Sequence, residues 1–334
     1  MVIRLRKERK MSGKRVIFLL VGFAALFLVR ASLAQTTSNY PNRPIEIILP
    51  TSPGGGLDFT LNLLKNRVEK LLGQPMVYIY KPGAGGATGT VYAKGCKTDG
   101  YTLVGSTIST LVICPLTMKG ADYSMADFTP ICSITTNPIV ICVKEDSPYK
   151  TMQDFIQIAK TKGMKYATPG ALTSPHILME AMGRMAGFKA THIPHSGALA
   201  GMAAVLGGHI DALVSSSPGV VGPGKLRIIA IVNIEDKRME DYPNIPTLKE
   251  LGFPFTYAPV NALWAPKGVP KEIVDKIYKS YKKAYDENKE ETDRIAKTGE
   301  QTVLILSGAE LRKKYQEQYD FFEKTVGEMG WKKK

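Results

Sequence analysis

The sequence predicts an α/β protein built from two domains of the same class. Three observations predict it. Between Ile45 and Gly105 the chain alternates apolar strand-like runs with helical stretches and short connections, a βαβαβ pattern that implies a parallel sheet with helices on its faces. The same alternation returns between Ile139 and Val232. The chain has 334 residues, and removal of an export signal ending at Ala34 leaves 300, a length suited to two domains. No low-complexity linker separates the halves, so the chain is expected to cross between domains by strands, as in hinged binding proteins.

Ile45-Glu-Ile-Ile-Leu49 reads as a buried strand, and Pro50 to Gly56 as a loop of small residues, Pro and Gly. Leu61, Leu64, Val68 and Leu71 then recur on one helix face, with Gly73 as the stop. Strand, glycine-rich turn and helix in that order aim backbone N–H groups and the positive helix end at one point, a place for an anion. Met76–Tyr80 is the second strand. Lys81-Pro-Gly-Ala-Gly-Gly-Ala-Thr-Gly89 opens a short helix near Thr90–Lys94, and Tyr101–Gly105 is the third strand, running into Ser106-Thr-Ile-Ser-Thr110. In such sheets ligands sit at the carboxyl ends of the strands, where the loops at Pro53–Gly56 and Ser106–Thr110 lie.

Ile131–Thr135 and Ile139–Lys144 are further strands. Thr151-x-x-Asp154 begins a helix, Lys165–Thr168 is a strand, and Pro169–Ser174 is an uncharged loop before a helix over His176–Gly187. Thr191–Pro194, Ile210–Ser215 and Leu226–Val232 read as strands, with a helix over Ala198–Leu206 stopped by Gly207-Gly208. Pro246–Leu251 reads as a short helix, Phe255–Trp264 as extended, and Pro270–Asp286 as an amphipathic helix with Ile273, Val274, Ile277, Tyr281 and Tyr285 inward. A strand at Gln301–Leu306 and a capping box at Ser307-Gly-Ala-Glu310 lead into a last helix bearing Leu311, Tyr315, Tyr319, Phe322 and Val326.

The N-terminus predicts the compartment. Seven Lys and Arg between Arg4 and Arg15 precede an apolar Val16–Val29 core, and Ala-Ser-Leu-Ala (31–34) offers a cleavage box, so residues 1–34 read as an export signal. An uncleaved anchor is the alternative. Removal lowers the net charge from +14 to +7. The remaining basic residues are scattered among acids without aromatic interleaving, which argues against nucleic acid. Cys96, Cys114, Cys132 and Cys142 form no CxxC and have no His at zinc-ligand spacing, so neither a metal nor a cofactor is expected. Cys132 and Cys142 flank Thr136-Asn-Pro138 symmetrically; a tight hairpin there would let them face each other as a disulfide, the alternative being two buried thiols.

Little in the sequence points to chemistry. Asp58, just past the glycines, suits a carboxylate accepting N–H groups at a helix start; direct contact would suit a ligand amine. Gly83-x-Gly85 with Gly89 misses the dinucleotide spacing, and neither glycine loop ends in GK[ST], so the second turn reads as backbone geometry. His176 at a helix start and His195 beside Ser196-Gly197 at a strand end are pocket candidates, packed or solvated roles being the alternatives. No GxSxG elbow is present. Thr51–Thr60, Gly105–Ile113 and Thr168–His176 contain no Lys or Arg, so an anion there would be held by N–H groups, hydroxyls and helix ends, which suits a carboxylate and permits its release.

An ordered set of motifs carries a resemblance over essentially the whole mature chain. Pro50-Thr-Ser-Pro-Gly-Gly-Gly-Leu-Asp58, Gly73-Gln-Pro75, Pro82-Gly-Ala-Gly-Gly86 and Asp99-Gly-Tyr-Thr-Leu103 are followed by Phe128-Thr-Pro130, Tyr166-Ala and Ser174-x-His176. Leu206-Gly-Gly-x-x-Asp211, Gly224-Lys-Leu-Arg227, Pro246-Thr-x-x-Glu-x-Gly252 and Ala265-Pro-x-Gly-x-Pro270 complete the set. Together they resemble the substrate-binding receptors of tripartite tricarboxylate transporters, the Bug family.

The resemblance implies a type II, Venus-flytrap architecture with a mixed sheet in each domain. It places domain 1 at 43–142 plus 258–334 and domain 2 at 143–257. It implies a periplasmic, monomeric receptor that delivers a small carboxylate to integral-membrane transporter subunits without catalysis. Its implied cleft is lined by Ser52, Pro53, Gly54, Gly55, Gly56 and Asp58, by Ser106, Thr107 and Ser109, and by Thr168, Gly170, Thr173, Ser174, His176, His195 and Ser215. The chain departs from the family pattern at Tyr80-Lys81, where Asn-Arg is usual, at His195-Ser196-Gly197 for Tyr-Lys-Gly, and at Val260 for Trp. An exported enzyme acting on a small acid or ester and a ligand-binding sensor subunit are the competing readings; the first needs a nucleophile–base pair or a metal.

Overall fold

A computed structural model describes residues 39–195, 197–216, 226–233, 236–255, 257–298 and 301–333. The expected export signal and Ser196 lie outside the described residues. Arg43–Lys334 forms one compact unit.

The first part of the chain runs β1 (Ile45–Leu49), α1 (Gly56–Asn62), α2 (Lys65–Leu72), β2 (Met76–Tyr80), α3 (Ala87–Lys94) and β3 (Thr102–Ser106). A π-helical turn at Ser109–Ile113 leads into α4 (Cys114–Thr117) and then β4 (Phe128–Thr136). The second part comprises β5 (Ile139–Lys144), α5 (Met152–Lys162), β6 (Met164–Thr168), α6 (Ser174–Ala186), β7 (Ala190–Pro194), α7 (Ala198–Leu206), β8 (Ala212–Ser215) and β9 (Leu226–Val232). The chain then returns through β10 (Val260–Pro266), α8 (Lys271–Asp286), α9 (Lys289–Thr298), β11 (Thr302–Val303) and α10 (Gly308–Glu328).

Two mixed sheets result, ordered β11-β4-β10-β3-β1-β2 and β7-β6-β8-β5-β9. In the first, β2, β1 and β3 are parallel and β10 runs antiparallel between β3 and β4. In the second, β7, β6 and β8 are parallel and β5 runs antiparallel between β8 and β9. The strand that arrives from the other sheet therefore takes the same place in each: β10 in the first, β5 in the second. This double crossing is the type II arrangement. Where both faces are covered the strands are buried almost end to end, β10 at every position and β5 at all but Lys144, with Asn261 the one polar side chain inside β10. One hydrophobic cluster carries Val104 and Trp264 from the first sheet together with Ile141, Tyr166 and Val214 from the second.

Several expectations need correction. The helix after the glycine loop is two helices. Leu61, Leu63 and Leu64 are all buried, and one stripe of a straight helix does not bury 63 and 64 together with 61. A break at Leu64 (φ −116°, ψ −5°) permits it and rotates the second helix, so Leu72 is buried and Leu71 is 37% exposed. β4 and β5 are not a hairpin. At Asn137-Pro138 the chain leaves one sheet for the other, so Cys132 and Cys142 lie in different sheets, and all four cysteines are free thiols. The whole of β5 pairs within the second sheet, so a division after Cys142 would cut one strand.

The segment at Pro246–Leu251 is a turn instead of a helix, closed by reciprocal bonds: the Thr247 N–H donates to Glu250 Oε2 (2.8 Å) and the Glu250 N–H to Thr247 Oγ1 (3.2 Å). Gln301–Leu306 shortens to the two-residue β11. The expected capping boxes at Thr151 and Ser307 are both formed.

Candidate functional site

The parallel strands β1, β3, β6 and β8 deliver the predicted residues at their carboxyl ends. Leu49 ends β1 and the 50–55 loop follows. Gly54 has φ +76°, a left-handed conformation that costs an L side chain energy, which accounts for glycine there. Its N–H donates to Asp58 Oδ2 (2.7 Å). The Asp58 Oδ1 accepts from Asn62 Nδ2 (2.9 Å) and from the Tyr80 hydroxyl (3.0 Å). Asp58 is thus the loop's clamp, with three donors converging on its carboxylate, and Tyr80, at the end of β2, is part of the same clamp. Burial and this bond to Asp58 raise the Tyr80 pKa. The Gly56 and Leu57 N–H groups, in the first turn of α1, have no intrahelical acceptor. Ser52, Pro53 and Gly54 are exposed.

The second glycine turn packs behind this loop. A Cβ on Gly86 (φ +101°) would stand 2.4 Å from Thr110 Cγ2 and 3.3 Å from the Pro50 carbonyl oxygen, so close approach fixes glycine there. The turn therefore joins the 50–55 loop to the 106–110 loop. In the latter, the Thr107 N–H donates to Thr110 Oγ1 (3.0 Å), which donates to the Thr107 carbonyl (3.0 Å). Ser106 is buried, with its Oγ 3.2 Å from the Tyr315 hydroxyl. Tyr315 gives its one proton to the Val260 carbonyl (2.8 Å), so Ser106 is the donor of that pair. Ser109 is half-buried at the start of the π-helical turn.

The second group gathers at the carboxyl end of β6. Thr168, fully buried, donates to the Gly170 carbonyl (2.7 Å) and accepts from His192 Nε2 (2.7 Å). The proton of His192 is therefore on Nε2. Thr173 Oγ1 also donates to the Gly170 carbonyl (2.9 Å). The Leu172 N–H donates to His176 Nδ1 (3.0 Å), which puts the His176 proton on Nε2. His176 stacks on His192 (3.8 Å between centroids) and on Trp331 (4.9 Å).

His176 is thus a buried brace of the 169–173 loop. Burial, and secondarily His192, lower its pKa to about 4; burial, and secondarily His195, do the same to His192. The His195 N–H donates to the Thr168 carbonyl (3.0 Å) and its ring Nδ1 lies 2.9 Å from the Ile193 carbonyl oxygen. Ser215 is buried at the end of β8, paired with Val140 of β5. Ser174 is buried, and its carbonyl accepts from Tyr257, a residue of the returning segment (3.2 Å).

The structure therefore brings the predicted residues together as two sets, one from the loops after β1 and β3 and one from the loops after β6 and β7 with the end of β8. The hydroxyls of Ser106, Thr107, Thr168 and Thr173 and both histidines are engaged in hydrogen bonds that shape the loops themselves. Residues the sequence reading missed stand directly behind the first set: Thr60, Thr135, Asn137, Asn261 and Gln301, all buried and mutually hydrogen-bonded. The available signal was polar residues interrupting apolar strand runs, as in Val260-Asn-Ala-Leu-Trp264. Among the described residues no group of three His, Cys, Asp or Glu is placed to hold a metal. No helix among them is long and apolar enough to cross a membrane.

Two mixed sheets exchanging strands twice, with loops at the strand carboxyl ends, define the class: a two-domain binding protein of the periplasmic type II fold. Residues 61–319 match the family described as the tripartite tricarboxylate transporter family receptor, and the chain belongs to that family. The chain is 34% identical over 268 residues to the UPF0065 protein in the gbd 5′ region of Cupriavidus necator, covering 79% of this chain and 81% of that protein. It is 30% identical over 265 residues to Protein BugT of Bordetella pertussis, covering 76% and 81%.

Among solved structures, a periplasmic transporter aligns with TM-score 0.76 and 30% identity over 88% of this chain and 99% of the other. A TctC solute-binding protein from Polaromonas aligns with TM-score 0.74 and 27% identity over 86% and 99%. The fold is also shared with MatC of Rhodopseudomonas palustris, solved with bound malate, at 23% identity and TM-score 0.73 over 86% and 100%.

Proposed function

We propose that the protein is an exported receptor that captures a small organic carboxylate between two lobes and presents it to a tripartite tricarboxylate-type membrane transporter. The lobes are those expected from the sequence, 43–142 plus 258–334 and 143–257, adjusted so that β5 stays whole in the second. The observation that carries the reading is the character of the loops at the strand ends. They hold no Lys or Arg across Thr51–Thr60, Gly105–Ile113 and Thr168–His176, while the first turn of α1 leaves N–H groups without intrahelical acceptors.

Neutral, preorganised donors of this kind suit a carboxylate that must be released again. Family membership supports the same reading, as does the malate bound to a protein of the same fold. Ser52 to Gly56 and Ser106 to Ser109 form the wall from the first lobe; Gly170, Thr173, Ser174, His195 and Ser215 form the wall from the second. Asp58, Thr168 and His176 hold these walls in shape without contacting ligand. Binding draws the lobes together, and the closed face is what the transporter subunits meet. The protein acts on its ligand by capture alone, and the leader at residues 1–34 sends it to the periplasm.

A thermal-shift screen of the mature protein tests this. Its panel holds succinate, malate, citrate, glutamate, aspartate, adipate, phthalates and monocarboxylates. A ligand at 100 times its dissociation constant adds about 2.7 kcal/mol to stability. One responding chemical class is the expected result. A flat panel, with no co-purified ligand by native mass spectrometry, contradicts it.

A further inference from the structure

The two interlobe crossovers are bonded to each other. The Asn137 N–H and the Thr136 hydroxyl both donate to the Pro259 carbonyl, each at 3.0 Å. One residue beyond the second crossover, Asn261 points its amide into the network behind the glycine loop. Its Nδ2 lies 2.9 Å from Asn137 Oδ1, 2.9 Å from Thr135 Oγ1 and 3.0 Å from Thr60 Oγ1. Thr60 Oγ1 in turn lies 2.8 Å from the Gly56 carbonyl and 2.6 Å from Gln301 Oε1, while Gln301 Nε2 donates to the same Gly56 carbonyl (2.8 Å). Asn261 is 5% exposed, Asn137 9%, Gln301 3%, and both threonines are fully buried.

The donor count makes this network switchable. Asn261 has two amide hydrogens for three acceptors, and Thr60 has one hydroxyl hydrogen for the Gly56 carbonyl and Gln301 Oε1. Thr135, whose Oγ1 lies 3.0 Å from Thr60 Oγ1, brings the further hydrogen that lets every acceptor be served in more than one arrangement. A buried donor or acceptor left without a partner is costly, so the hydrogens redistribute when any one partner moves. Asn137 is the partner that moves when the crossovers bend, because it stands between β4 of one sheet and β5 of the other.

We propose that Asn261 is a positioning residue that ties the angle of the interlobe crossovers to the placement of Gly56 and the ligand loop. When the crossover carries Asn137 Oδ1 away, the Asn261 hydrogen it held turns to Thr60 and Thr135. Thr60 then re-divides its own hydroxyl between Gly56 and Gln301. The consequence for ligand affinity rests on the site proposed above; the consequence for the hinge does not.

The test is made on the mature, ligand-free protein. Spin labels at Lys70→Cys and Lys160→Cys, exposed positions on α2 and α5, report the interlobe distance in a Cys96→Ser background. Hydrogen exchange reports residues 52–58. In Asn261→Leu the distance distribution shifts or broadens, and exchange in 52–58 rises about tenfold while the β6 amides keep their protection. Asn137→Ala, which removes only the crossover acceptor, gives changes of the same sign and covers a failure of Asn261→Leu to fold. An unchanged distance distribution, or exchange that rises equally in every strand, overturns the coupling. If these readouts respond while no carboxylate binds the parent protein, the coupling stands and the ligand reading falls.

Discussion

Asp58→Ala separates a loop clamp from a ligand contact. The carboxylate accepts from the Gly54 N–H at 2.7 Å, from Asn62 Nδ2 at 2.9 Å and from the Tyr80 hydroxyl at 3.0 Å. Gly54 and Asn62 are exposed and Tyr80 is half-buried, so water replaces the lost acceptor at each donor and the loss is the net value of the bonds. At about 1 kcal/mol each, the variant unfolds about 2–3 kcal/mol more easily. The loop loses its anchor at Gly54, and re-ordering that residue on binding costs about 1 kcal/mol more, which weakens a carboxylate ligand about fivefold. Asp58→Asn keeps one acceptor oxygen and falls between parent and alanine on both scales. Urea unfolding and calorimetric titration read the two numbers. Affinity lost a hundredfold or more with stability unchanged would make Asp58 a direct ligand group. No change in either would remove the clamp altogether.

Gly54→Ala meets no atom within 4 Å, so its cost is backbone strain alone, about 1 kcal/mol in urea unfolding, whereas Gly55→Ala, 3.4 Å from the Ser52 carbonyl, is near neutral for the fold. The His176 pKa of about 4 lies below the ordinary histidine value. The unfolded chain therefore binds the extra proton first, and stability is full above about pH 6.5 and lost on acidification towards pH 4, by on the order of 3 kcal/mol. His176→Gln removes its share of that slope and leaves the share of His192, whose pKa burial lowers likewise, and parallel pH–stability curves for the two proteins would contradict it. Cys132 and Cys142 are buried, and burial raises the pKa of both thiols. Neither reacts with a thiol reagent until the protein unfolds, and a two-dalton mass gain on reduction would show a disulfide instead.

Local pattern carried much of the fold. Ile45–Leu49, Met76–Tyr80, Ile139–Lys144 and Leu226–Val232 were legible as strands because their runs are almost continuously apolar. Partner choice was not legible. Cys132 and Cys142 look like hairpin mates along the chain, yet Asn137-Pro138 is a crossover, and only the pairing of β4 with β10 and of β5 with β8 and β9 reveals it.

α9 escaped notice because its sequence, Lys-Glu-Glu-Thr-Asp-Arg-Ile-Ala-Lys-Thr, has a thin apolar stripe; only Thr292 and Ala296 are buried. At the site, the loops were legible in the sequence as candidates, but the hydrogen bonds of their individual side chains were not. Thr168 and His176 were read as ligand candidates, and the structure engages both in bracing the 169–173 loop. Asn261 was hidden for the opposite reason: its partners Thr60, Asn137 and Thr135 lie more than a hundred residues away in the chain.

In the proposed receptor, backbone N–H groups of the first glycine loop hold the carboxylate. Nitrogen-15 spectra of the glycine-labelled mature protein probe that role, with the Gly55 and Gly56 resonances assigned by their loss in Gly55→Ala and Gly56→Ala. On titration with the best carboxylate from the screen, the amide protons of Gly55 and Gly56 move downfield and saturate with the calorimetric dissociation constant. Saturable binding that leaves both resonances in place would put the ligand elsewhere and overturn the role of the loop.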